Sequence, residues 1–479
     1  MRPRTVALRE RGRLAARLQT VLDQARRRPG WQEPERRTTR TWRQFVLGVR
    51  VARSTRLGTV SQVLFGQRAA TSVKAVAMGL AYFLTGAACP AETLSPLVLA
   101  AAVRHLAPSQ VATYRGKAIV VLDPTGDPKR SRGRGKRGRP MHHIGRGRKP
   151  TKGATGTSAR RKKRGQRGGP PPPPHRSAPP AKAGAPREVA TTRGSVDVWA
   201  GLVLTGTQFL PVARPLFSSH PPDLASQDRV EEAVLAAARS TLTALGWGTI
   251  VVAERGLGRK ERLVRPAQQR QDFVIRVDAD ITASTAGAPA GALLATLLAA
   301  QPGLGEVVGD RGQEGTLDRR ARTLTATVRF SRTGRQGDYE EATLQFVELG
   351  PCAGPTDPLV LATTVPVATL ADVKGVGRVY SGRWASETGF ETMKAWGLER
   401  FMVRTWQAID RLLWVVALAS ALLVVATRDG PLAIFREQAT ALLARLAVLG
   451  RRLTVGKLAE ALGLDYARHR RAWRTAWLT

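Results

Sequence analysis

Acidic residues are scarce in this sequence. Only 36 Asp and Glu stand against 76 Lys and Arg over 479 residues, leaving a net charge of +40. Such a chain is drawn to polyanions, of which nucleic acid is the usual one. A GC-rich genome accounts for Arg over Lys and for abundant Ala, Gly and Pro, but not for the excess of bases over acids. Cysteine is nearly absent. Cys89 and Cys352 are far apart with no CxxC spacing, which excludes a disulfide framework and a zinc knuckle and fits a reducing cytoplasm. The start, MRPRTVALRERGRLAARLQ, is rich in Arg and has no apolar signal core; no secretory peptide is expected. Glu10 and the helical pattern argue against a transit peptide. Long apolar runs are also wanting. The run Leu412–Ala426 (LLWVVALASALLVVA) is shorter than the roughly 18 residues of a spanning helix, contains Ser420 and is flanked by charges. It reads as a buried core helix, and no membrane partner is expected.

What is present can fold: 43% of residues are hydrophobic, and the length calls for several domains. Residues 1–112 carry apolar positions at three- and four-residue spacing, as in VALRERGRLAARLQTVL and SPLVLAAAVRHL, and are expected to be helical. The stretch TWRQFVLGVRVARSTRLGTVSQVLFG fits two short helices with a turn, as in helix-turn-helix readers of DNA, and equally an ordinary helical bundle. Ala118–Leu122 is a short β-branched run, a buried strand that ends in Asp123 and a Pro-Thr-Gly turn.

Residues 129–187 hold 20 Lys or Arg and no Asp or Glu, with five consecutive prolines at Pro170–Pro174. That composition cannot bury enough apolar surface to order itself, so disorder is expected. Within it, Lys136, Arg137 and Arg139 resemble the core of an AT-hook, which lays arginines along the minor groove; general attraction to phosphate is the commoner reason for such a run. Folded pattern then returns. Two strands flank a Gly-Thr turn in SVDVWAGLVLTGTQFLPVARPLF, and a helix follows in QDRVEEAVLAAARSTLTALGW. GTIVVAERGLGRKERLV is a strand, the acid Glu254 at its end, a turn and a helix start; QDFVIRVDADI is a further strand. The alternation indicates an α/β core. LTATVRF, ATLQFVEL and PLVLATTV, within about 284–370, alternate as antiparallel strands do, and a helical stretch begins at RVYSGRWASETGFETMKAWGLERFMV.

Tyr380, Arg383, Glu387 and Lys394 lie in that helical stretch at offsets of three, four and seven. On one continuous helix such steps keep four side chains on one stripe. A carboxylate can hold a metal ion and the cations can hold phosphates. A solvated face with chance ion pairs has the same composition.

The order Tyr-x2-Arg-x3-Glu-x6-Lys resembles the Tyr-Arg-Glu-Lys (YREK) signature of a large family of bacterial insertion-sequence transposases of the DDE type. The resemblance extends over about 115–425. IVVLD with Thr125 looks like the family's first-aspartate strand, IVVAERGLGRK like its second-acid strand, and LVLATTV like the strand before the signature helix. It implies a ribonuclease-H-like α/β catalytic core interrupted by a β-rich insertion, with helical regions at both ends. The catalytic and metal-holding acids would be Asp123, Glu254 and Glu387. The family usually has Asp where Glu254 stands. Glutamate keeps the charge and the oxygen ligands but moves them by about one methylene, which bears on activity because paired ions sit about 3.5–4 Å apart and a displacement near 1 Å can cost about 100-fold. Asp278 and Asp280, after the next strand, are alternative second acids.

The implied cofactor is a pair of Mg2+ (or Mn2+) ions on hard oxygen ligands, and the implied activity is nicking at transposon ends followed by attack of the freed 3′-hydroxyl. A hairpin at the transposon end belongs to the family's chemistry. Tyr380, Arg383 and Lys394 would contact phosphates; Trp384 could stack a displaced base, although core packing is the commoner fate of a Trp. Expected partners are double-stranded DNA, at transposon ends and target, and a second copy of the chain, in the bacterial cytoplasm at the nucleoid. The implied division is a helical, DNA-binding region (1–112), the first core strand (113–128), a basic disordered insert (129–193), core (194–283), a β-rich insertion ending in a core strand (284–372), C-terminal core helices (373–430) and a basic helical tail (431–479). A catalytically inactive, transposase-derived DNA-binding protein is the competing reading, with Glu254 as its main support.

Overall fold

In the computed structural model, described residues are 35–128, 146–148, 191–217, 226–396 and 403–426, with short gaps, and a few isolated positions besides. The tail from 427 onward lies outside them.

The β-branched run after residue 117 forms the centre of β2 (Lys117–Pro128), which follows the short β1 (Thr113–Tyr114). Beside β2 runs β7 (Gly248–Ala253), parallel and in register from Lys117↔Gly248 to Leu122↔Ala253. The side chains of Ala118–Leu122 and of Ile250–Ala253 are buried. Continuous burial without alternation is what a parallel strand covered on both faces requires. Strand β8 (Asp272–Arg276) continues the parallel set beyond β7. On the other side β2 pairs antiparallel with β4 (Thr191–Leu204), which pairs with β5 (Gln208–Ala213) and the short β6 (Leu216–Phe217). Gly206, at φ +76°, turns the chain from β4 to β5. Gly201 lets those strands close up: a Cβ there would fall 2.1 Å from the Phe209 ring.

Two local expectations change. Strand β2 does not end at Asp123 but runs on to Pro128, because β4 continues to pair with it as far as Pro128↔Gly194. Likewise, the segment expected to be disordered over 129–193 contributes β3 (Arg146–Arg148), paired with Thr191–Arg193. The ladder supplies backbone partners that composition alone could not reveal.

The residues expected to form antiparallel strands extend the same sheet. β14 (Leu359–Thr363) pairs with β8, then β13 (Tyr339–Pro351) with β14 and β12 (Gly315–Ser331) with β13. β9 (Thr282–Thr285), β10 (Ala288–Leu293) and β11 (Gly305–Gly312) complete one mixed sheet of 14 strands.

Helices α1 (Arg36–Ala52), α2 (Leu57–Phe65), α3 (Ala70–Thr85) and α4 (Ala91–Arg104) precede the sheet. Trp42, Phe45, Val46 and Val49 of α1 are buried, the spacing of one helical face. α5 (Gln227–Thr243), capped by Ser226, lies against β4, β5 and β7; α6 (Lys260–Gln268) follows β7, and the short α7 (Leu294–Ala299) follows β10. α8 (Leu370–Ser381) starts at a reciprocal cap in which Thr369 Oγ1 accepts from Asp372 N–H at 3.2 Å and Asp372 Oδ2 accepts from Thr369 N–H at 3.0 Å.

The apolar run becomes α10 (Trp406–Ala426), after α9 (Trp384–Ala395). By length and composition α10 could cross a membrane, but 94% of its apolar window is buried inside the protein. It packs on α1, α3, α4 and β5, as the core helix expected from Ser420 and the charged flanks. Two buried arginines lock it. Arg411 donates to the Leu84 and Gly86 carbonyls at 2.8 and 2.6 Å, closing the end of α3. Arg214 pairs with Asp197 of β4 at 2.7 Å and with Asp410 of α10 at 2.9 Å.

Candidate active site

Register decides where the first two acids meet. Leu122 and Ala253 are partners on neighbouring parallel strands, so the next residues, Asp123 within β2 and Glu254 just past the end of β7, lie side by side. The third acid arrives on α9. The signature does not occupy one continuous helix as its spacing predicted. α8 ends at Ser381, and a tight junction at Gly382–Arg383 leads into α9. There Arg383 N–H donates to the Tyr380 carbonyl at 3.0 Å and Ser386 N–H to the Arg383 carbonyl at 2.9 Å, the three-residue pattern of a 3₁₀ turn. A Cβ on Gly382 would lie 3.0 Å from the Val379 carbonyl oxygen, so glycine relieves crowding against the last turn of α8.

Arg383 is the hub. One nitrogen, Nη1, lies 2.6 Å from Glu254 Oε1 and 2.7 Å from Glu387 Oε1. The Arg383 side chain is 7% exposed, whereas Glu254 and Glu387 are 46% and 40% exposed. Its guanidinium sits 5.0 Å from the Trp384 ring centroid and 6.0 Å from that of Tyr380, within cation–π range. Burial by itself would lower the Arg383 pKa, but the negative charges around it, Glu254 first, outweigh that and raise it. Burial also raises the Tyr380 phenol.

Asp123 is tied to α9 differently. Ser386 Oγ donates to Asp123 Oδ2 at 2.6 Å. The Asp123 pKa is pushed up to about 6, chiefly by desolvation and further by the charges of Glu254 and Glu387, against the pull of the Ser386 hydrogen bond and of Arg383. Asp123 therefore feels both other acids across the site, and the three carboxylates share one neighbourhood.

The donor set has the chemistry of a hard divalent cation site: three carboxylates, two of them open to solvent, whose repulsion is registered at Asp123. Among the described residues, no three Asp, Glu, His or Cys side chains are gathered closely enough to hold an ion as they stand. Arg383 supplies the positive charge between Glu254 and Glu387 instead.

The remaining expected residues divide. Tyr380 is at the site but buried, at 8% exposure. Lys394 is exposed in the last turn of α9, two turns from Glu387. Lys136, Arg137 and Arg139 lie outside the described residues. Asp278 pairs with Arg255 at 3.0 Å, and Asp280 is exposed; the carboxylates that act most strongly on Asp123 are Glu254 and Glu387. Trp384 was expected to pack in the core and is instead 42% exposed beside Arg383, as the first residue of α9. Ser386 escaped the sequence reading; its only signal was a hydroxyl residue immediately before Glu387.

Residues 223–422 match the transposase DDE domain. The match supports a DDE transposase family and a transposase function for the chain, hence DNA transposition and recombination. DDE transposases use divalent metal ions and act on DNA. The matched span includes Glu254, Tyr380, Arg383, Glu387 and Lys394; Asp123 precedes it. No curated protein matches the chain. The mixed α/β architecture, with its large mixed sheet, fits the transposase domain.

Proposed function

We propose that this protein is a bacterial insertion-sequence DDE transposase that cleaves DNA at transposon ends and joins the freed 3′ ends to target DNA, acting as a homodimer on DNA in the cytoplasm. The observation that carries this reading is the convergence of Asp123 and Glu254, from adjacent parallel strands, with Glu387 on α9. The strand set β5–β4–β2, antiparallel, followed by parallel β7 and β8, supports a ribonuclease-H-like core.

Asp123, Glu254 and Glu387 would hold two magnesium or manganese ions, which when bound supply charge for activating water or a 3′-hydroxyl and for stabilising the departing oxygen. The chain's own residues do the rest. Lys394, which is exposed, would contact the phosphates of the cleaved strand, with Arg383 set between the two exposed acids and buried Tyr380 packed beside it. The burial of Arg383 against the Trp384 and Tyr380 rings orients its guanidinium and keeps bulk water from it. Exposed Trp384 offers a face on which a displaced base can stack. The basic segment with Lys136, Arg137 and Arg139, and the N-terminal helices, add sequence-independent affinity for the DNA backbone.

A magnesium-dependent nicking assay on transposon-end DNA tests the reading. Glu387→Ala is expected to abolish cleavage and leave DNA binding intact. Glu254→Asp is expected to cleave at least as fast as the natural protein. Cleavage at the natural rate by Glu387→Ala would refute the site. DNA binding without cleavage, by the natural protein and by Glu254→Asp alike, would point to the inactive, transposase-derived DNA-binding protein.

A further inference from the structure

Ser386 occupies one of the unspecified positions of the signature spacing, between Arg383 and Glu387, and it is fully buried. Its Oγ lies 2.6 Å from Asp123 Oδ2 and 2.8 Å from the Arg383 carbonyl oxygen. A serine hydroxyl has one proton to donate. Of the two acceptors the ionised carboxylate is the stronger, because charge-assisted bonds are shorter and about twice as strong as neutral ones. Among the described residues this is the one side-chain hydrogen bond made to Asp123.

The placement on α9 matters as much as the bond. Consecutive helical residues point about 100° apart. Ser386 therefore faces the sheet, fully buried, while Glu387 faces outward at 40% exposure. One turn of one helix thus delivers the third acid and the donor that grips the first.

We propose that Ser386 is a positioning residue of the metal site: its hydroxyl fixes one carboxyl oxygen of Asp123 and leaves the other free as a ligand. This rests on the three-acid reading given above. Ser386 acts through Asp123 and touches neither the ion nor the DNA. Partners that hold a metal ligand in place typically contribute about 10–100-fold to metal affinity.

The test is manganese binding to the full-length protein by calorimetry, for the natural chain, Ser386→Ala, Ser386→Thr, Asp123→Asn and Glu387→Gln. Thermal midpoints in chelator and DNA affinity are measured in parallel. Ser386→Ala is expected to bind manganese about 10–100-fold more weakly while keeping its DNA affinity. Ser386→Thr, which retains the hydroxyl, is expected to recover most of the manganese affinity. Ser386→Ala that binds manganese as the natural chain does, or that loses only thermal stability, would overturn the positioning role. Should Asp123→Asn and Glu387→Gln also bind manganese normally, the three-acid reading itself fails. Normal binding by Ser386→Ala beside weak binding by those two rejects the serine alone.

Discussion

Arg383 is buried while the two carboxylates it joins are nearly half exposed, and this asymmetry makes opposite perturbations unequal. Arg383→Gln removes the guanidinium and leaves Glu254 and Glu387 where water can solvate them. Exposed ion pairs are worth about 0–1 kcal/mol each, and each cation–π contact, here to Trp384 and Tyr380, adds about 0.5–1 kcal/mol. The expected cost is about 2 kcal/mol. The double change Glu254→Gln/Glu387→Gln instead leaves a guanidinium that is 7% exposed without its two ion-pair partners, with Asp123 the remaining nearby carboxylate. Stripping the partner from a buried charge costs about 3–5 kcal/mol; since the glutamine oxygens still accept hydrogen bonds, the lower end, about 3 kcal/mol, applies. Urea unfolding in chelator measures both. Repeating it with manganese adds a second arm. A ligand bound only by the folded protein at 100 times its Kd stabilises by about 2.7 kcal/mol. Arg383→Gln should gain more from manganese than the natural chain does, because no guanidinium competes for Glu254 and Glu387, and the double glutamine variant should gain little. If the double variant proves no less stable than Arg383→Gln, or manganese stabilises the natural chain and Arg383→Gln equally, the reasoning fails.

Two further predictions concern charges that are half-buried, at Asp123, or buried, at Arg214. Asp123 has a folded pKa raised from 3.8 to about 6, so between those values the folded state binds more protons than the unfolded one and stability falls as pH rises through that window. In chelator, Asp123→Asn should therefore be more stable than the natural chain above pH 6, by at most about 3 kcal/mol, with the gap closing towards pH 3.8; parallel urea midpoints across the whole range would contradict this. Arg214→Met should cost about 3–5 kcal/mol, because it leaves Asp197 and Asp410, at 4% and 19% exposure, without their cation. Adding Asp197→Asn and Asp410→Asn should restore most of that loss, and a single Arg214→Met variant as stable as the natural chain would remove this tie between α10 and β4.

Short windows of sequence carried a good deal of this protein. The β-branched runs around Val120 and Val251 are strands because branched side chains suit a pleated, covered ladder. The run after Leu412 is a core helix, as Ser420 and the flanking charges implied. The order of Tyr380, Arg383, Glu387 and Lys394 resembled a family signature, and that resemblance implied phosphate and metal chemistry. Each of these is a local property, set by a residue and its neighbours within a turn or two.

Tertiary structure decided the rest, because pairing between distant segments leaves no trace in a local window. Asp123 and Glu254 became neighbours through the partnership of Leu122 with Ala253. The extension of β2 to Pro128 depended on β4 being there to pair with it. The junction at Gly382–Arg383 divided the expected single helix, with Trp384 left exposed and Ser386 bonded to Asp123. The residue types were legible along the chain; which charges would be buried, and beside what, was settled only where strand register and helix packing brought them together.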